Sequence, residues 1–133
     1  MNLNWMAIVV ALIVTIVIAI FSGIYFPTNV SLIICTSNAP IIGGLIAGYM
    51  AGGSYTNGIV NGGISAGVAG LISIPAFALL SGNKLITAMS STVPATNGTF
   101  TIILVIVVAI ILFFIIGLIG GIIGVTLKKG SSS

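Results

Sequence analysis

The sequence predicts an all-α membrane protein, a bundle of four transmembrane helices with glycine-ladder packing of helices two and three. Three observations predict it: charge is almost absent, apolar runs reach bilayer length, and glycines recur at intervals of four. The chain has 133 residues, 59% of them hydrophobic and 2% charged, against about 25% charged in a soluble domain. Three lysines cannot keep such a surface in water, whereas lipid accepts apolar side chains on every face of a helix. The length suits one domain, residues 1–130. Residues 131–133 form a polar tail, native or a remnant of cloning.

The same composition narrows function. The sequence contains no Asp, Glu or His, and its basic residues are Lys84, Lys128 and Lys129. General acid–base catalysis draws on His, Asp or Glu, and zinc or hard-cation sites need imidazoles, carboxylates or several thiolates. We therefore expect no catalytic residue, no metal site, no cofactor and no enzymatic activity. Proton-coupled transport needs intramembrane carboxylates or histidines, which are missing too. Cys35 is the only cysteine; it is either a small apolar filler or half of an intermolecular disulfide. A net charge of +3 is too small and too scattered for nucleic acid. Lys128 and Lys129 suit anionic lipid headgroups, at about 1 kcal/mol each.

The first span runs from Trp5 to Phe26 without charge or proline. It makes roughly 33 Å of helix, enough for a hydrocarbon core of about 30 Å. Trp5 and Tyr25 mark its ends as interfacial aromatics do. Met1-Asn2-Leu3-Asn4 lacks the basic start of a signal peptide, so this helix is expected to be retained. Pro27 and the turn-forming residues after it end the span. Residues 29–38 admit three conformations: a loop, a re-entrant dip or an early helix start. Asn38 as N-cap and Pro40 in the first turn place the second helix at about 39–53, only about 22 Å long. The Gly52–Gly58 cluster turns the chain. A third helix follows from about 57 to 80, kinked near its end by Pro75. A Ser/Thr-rich loop with Lys84 and Pro94 precedes the last span, 100–127, whose roughly 42 Å exceed the core and demand tilt or protrusion.

Four spans put both termini on one side. Lys128 and Lys129 abut the last span there, with Lys84 in the opposite loop. The positive-inside rule thus places the termini in the cytoplasm of a multi-pass cell-membrane protein. Two sequons, Asn29-Val30-Ser31 and Asn97-Gly98-Thr99, fall in the outer loops. Asn29 and Asn97 are either glycosylation acceptors or polar turn residues that match the pattern.

Spacing of four is the most informative feature. The second helix carries Gly44, Gly48 and Gly52, and the third carries Gly58, Gly62, Ala66 and Gly70. Residues four apart share a helix face, so each set forms a smooth groove. Helices in lipid associate through close backbone approach and interhelical hydrogen bonds, with small-xxx-small as the signature. The first helix repeats the pattern in Ala7, Ala11, Thr15, Ala19 and Gly23. The fourth shows it only at its end, in Gly117/Gly121 and Gly120/Gly124, where a partner is expected to touch it. Beside the glycines of the third helix runs a polar stripe, Asn57, Asn61, Ser65, Ala69 and Ser73. Its side chains act either as interhelical glue, about 0.6 kcal/mol each, or as the lining of a neutral, wetted path.

The run Gly43-Gly44-Leu45-Ile46-Ala47-Gly48-Tyr49-Met50-Ala51-Gly52-Gly53 continues through Tyr55-Thr56-Asn57-Gly58 to Asn61-Gly62-Gly63. It resembles a family of small glycine-rich archaeal membrane proteins of unknown function, common in methanogens. The likeness covers about residues 5–80. It implies an archaeal cytoplasmic membrane and no assigned chemistry.

The function expected from these residues is structural and non-enzymatic. The chain self-associates as a homo-oligomer, or docks as an accessory subunit of a membrane complex, through its small-residue faces, with lipids as its other partners. The alternative is a passive channel or holin-like pore lined by Asn57, Asn61, Ser65 and Ser73. The composition itself is testable: the chain should stay in the membrane pellet through an alkaline carbonate wash and leave it only with detergent. Recovery as a monodisperse species in plain buffer would overturn the membrane assignment.

Overall fold

A computed structural model describes residues 2–26, 38–81 and 98–131. Cys35, Lys84, both sequon asparagines (Asn29 and Asn97) and most of the 29–38 stretch lie outside them, so the expectations on these residues are not addressed. The described residues form four α-helices: α1 Trp5–Tyr25, α2 Ala39–Ala51, α3 Tyr55–Ser81 and α4 Gly98–Ser131.

Local chemistry explains most helix ends. Asn4 caps α1, its side chain accepting the Ala7 N–H at 3.1 Å. Phe26 is extended at φ −113°, ψ 153°, the conformation that a following proline imposes on its predecessor. In α2, Pro40 occupies the first turn as expected, but Asn38 makes no side-chain capping bond and is itself helical at φ −78°, ψ −41°. Gly52 and Gly53 have φ of 59° and 76°, a region open to glycine and costly for other residues. They stop α2 at Ala51, two residues short of the expected end. Gly52 therefore caps the helix and is not a rung within it. The Ser54 hydroxyl accepts the Asn57 N–H at 3.3 Å, and α3 starts at Tyr55, earlier than the expected 57. It runs on through Pro75.

Three helices contain stretches long and apolar enough to cross a membrane: Trp5–Tyr25, Tyr55–Ala76 and Ile106–Ser131. The second helix is short, as expected: the 13 residues of α2 make about 20 Å of helix against a core of about 30 Å. In contrast, α4 has 34 residues, about 51 Å. It outruns its expected limits at both ends and takes Lys128 and Lys129 into its last turn, where cations favour the carbonyl end of the helix dipole.

Contacts at the helix ends fix their directions. Asn2 and Asn4, just before α1, bond to Asn57 and Asn61 in the first turns of α3. Lys128, at the end of α4, lies over the ring of Tyr49 at the end of α2, and Lys129 over that of Tyr55 at the start of α3. So α1 and α3 run one way, α2 and α4 the other, and both ends of the described chain lie together. The side chains buried between helices are mostly small, among them Ala7, Ala11, Ala19, Ala47, Ala66 and Ala69, whereas Val9, Ile13, Val17, Ile111, Leu112, Ile115 and Ile119 are exposed. Packing in lipid favours small residues between helices, and aliphatic side chains facing outward suit hydrocarbon.

The shared end is testable. In a Cys35→Ser background, Asn2→Cys and Lys129→Cys should react with a membrane-impermeant thiol reagent from the same side of sealed vesicles. Labelling from opposite sides would contradict this topology.

Candidate functional site

The glycines of α2 and α3 converge on α4. A Cβ built on Gly44 would strike the backbone of Gly117, and one on Gly48 the backbone of Gly121. From the other side, a Cβ on Gly62 would lie 2.5 Å from the Gly117 carbonyl oxygen and 2.9 Å from the Gly121 Cα. One on Gly58 would meet the Val125 side chain and lie 2.8 Å from the Gly121 carbonyl oxygen. Gly117 and Gly121 are thus approached by α2 and α3 together. Gly120 and Gly124 belong to the α2 contact: a Cβ on Gly120 would lie 2.9 Å from the Leu45 nitrogen, and one on Gly124 2.6 Å from the Tyr49 nitrogen. Helix backbones this close leave no room for any side chain larger than hydrogen.

Each expected packing residue now has a place. Gly44, Gly48, Gly58 and Gly62 face α4 of the same chain. Gly70 faces a ring, with the Phe113 Cγ 2.9 Å from where its Cβ would be. Gly52, outside the helix, lies under the Lys128 ammonium. In α1 the small face ends on buried Ser22 in place of Gly23, which is half-buried, and Thr15 sits against Gly43.

The polar stripe of α3 divides by chemistry. The Asn57 Oδ1 accepts the Asn2 N–H at 3.1 Å, and the Asn61 Oδ1 accepts the Asn4 N–H at 2.9 Å. Fully buried Asn61 also donates from Nδ2 to the Asn2 carbonyl at 3.3 Å and the Asn57 carbonyl at 2.7 Å. Its amide group therefore has an acceptor for each of its protons and a donor for its oxygen. The hydroxyls behave differently. Ser65 bonds to the Gly62 carbonyl at 3.0 Å, Thr15 to Ala11 at 2.8 Å and Ser22 to Ala19 at 2.8 Å, all within their own helices. Buried Ser73 has no hydrogen-bond partner among the described residues. As interhelical glue the stripe works through its asparagines. As a pore lining it would need water at Asn61, Ser65 and Ser73, all of which are buried.

Sequence reasoning missed Asn2 and Asn4. Their signal was a pair of capping-type residues just before an apolar run, although a backbone N–H seeking a distant acceptor leaves no mark in sequence. It also missed the lysine–tyrosine contacts, which join helices far apart in the chain.

Together these features define a class: an all-helical protein with membrane-length helices and polar groups turned to internal bonding. The chain belongs to DUF5518, a family of unknown function, whose model matches residues 5–127. The match takes in most of α4 and so extends past the expected likeness of about residues 5–80. No curated protein and no solved structure matches the chain.

Substitution tests the close approaches. Gly62→Leu and Gly121→Leu should each cost about 1–3 kcal/mol, the usual penalty of overpacking, and lower the melting temperature in mild detergent. Ile119→Leu, at an exposed position, should leave it nearly unchanged. Equal effects at all three positions would contradict the packing described.

Proposed function

We propose that the chain is a non-enzymatic structural protein of the cell membrane. It is a bundle of four membrane helices held by glycine packing, and it acts by contact with other membrane components as a self-associating unit or accessory subunit. In this proposal the termini are cytoplasmic, in keeping with Lys128 and Lys129 at the terminal end. The membrane is archaeal, as the resemblance implies. The observation that carries the proposal is the convergence of Gly44, Gly48, Gly58 and Gly62 on Gly117 and Gly121. These close backbone contacts serve cohesion, and the sequence offers no carboxylate or imidazole for chemistry.

The same convergence refines how another subunit is met. The glycine faces of α2 and α3 are occupied by α4 of their own chain, so a second copy using those faces would have to displace it. The outward surfaces of α1 and α4 remain for association.

Native mass in mild detergent tests this. The expected result is an assembly of fixed stoichiometry in which Gly48→Leu and Gly62→Leu lower thermal stability while the folded fraction keeps its stoichiometry. A clean monomer from native membranes would overturn association. Folded monomer produced by the substitutions would instead assign the glycine faces to the subunit contact. Liposome flux addresses the pore: we expect no conductance, and no change in permeability with Asn61→Leu.

A further inference from the structure

We infer that the end of the molecule where α2, α3 and α4 meet binds the headgroup phosphate of an anionic phospholipid. Lys128 and Lys129 are consecutive in α4, yet they lean to different helices. The Lys128 ammonium lies 5.9 Å from the centroid of the Tyr49 ring and the Lys129 ammonium 4.0 Å from that of Tyr55. Tyr49 is near the end of α2 and Tyr55 begins α3, so the two cations bracket the Gly52–Ser54 turn. Gly52 is part of the arrangement, because a Cβ there would strike the Lys128 ammonium. An ammonium carries three N–H donors, and its charge acts on a nearby headgroup while it lies over a ring. Both rings are partly exposed, and their phenols add donors of the kind that phosphate oxygens accept.

The level in the membrane fits a headgroup. Trp5, 68% exposed, begins α1 at this same end, and tryptophan and tyrosine concentrate where lipid headgroups begin. The chain carries three lysines and no acidic side chain, so its field draws an anionic headgroup in and nothing in its side chains repels one. A lysine near such a surface favours the anionic lipid by about five-fold.

The inference rests on the proposed membrane location, and one experiment separates the two. The full chain is reconstituted into nanodiscs of phosphatidylcholine, alone or with a minority of phosphatidylglycerol. Lipids that stay with the protein after transfer to neutral detergent are counted by native mass spectrometry. Phosphatidylglycerol should be enriched on the wild type. K128Q and K129Q should each reduce the enrichment about five-fold, K84Q should preserve it, and added salt should weaken it in the wild type. The salt arm needs no variant, so a misfolded double substitution does not decide the matter. No enrichment, enrichment that survives K128Q/K129Q, an equal loss in K84Q, or equal displacement by inorganic phosphate would overturn the lipid site. Failure to enter either disc would instead overturn the membrane location.

Discussion

In hydrocarbon, an apolar side chain gains little by leaving lipid for protein, so helices adhere only where their atoms come unusually close. The packing of the described helices follows from that constraint. Gly117 and Gly121 give α4 a bare stretch on which two other helices lie at once. Dispersion energy is small for each atom pair and large in sum, and backbone against backbone brings the most pairs into range. One turn further along, Phe113 occupies the position of the next rung. Gly70 gives way to its ring, and Ala19 and Ile74 complete the cluster around it. The contact thus passes from glycine on glycine near the lysine end to an aromatic plug deeper along α4.

Polar groups follow a second rule. Unpaired hydrogen-bonding groups are expensive away from water, and a serine or threonine hydroxyl on a helix can turn back to a carbonyl three or four residues earlier. Thr15, Ser22 and Ser65 do so. An asparagine amide has more groups to satisfy, and Asn61 satisfies them between helices. It fixes the start of α1 against the start of α3, a register that smooth glycine faces leave free to slide.

The sequence showed faces more clearly than it showed partners. Spacing of four identified Gly44/Gly48 and Gly58/Gly62 as contact stripes, because periodicity is a property of one helix. It could not tell whether those stripes meet each other or a third helix, since a surface without side chains has no complementary pattern to match. The glycines of α4 were visible too, but they follow a long aliphatic run that reads as lipid-facing. Helix ends were legible where backbone chemistry forces them, at Phe26 before Pro27 and at the positive-φ glycine pair. They were less so where nothing does. Lysine is a good helix former, so α4 continues through Lys128 and Lys129. The demand of Asn57 and Asn61 for partners could be read; Asn2 and Asn4 as the suppliers could not.

The helix that completes the packing follows the other three in the chain. While α2 and α3 are already in the bilayer, the trough they share stays open until residues 117–124 emerge from the ribosome. An exchange of α4 between two copies would reproduce the same close approaches and yield an intertwined dimer.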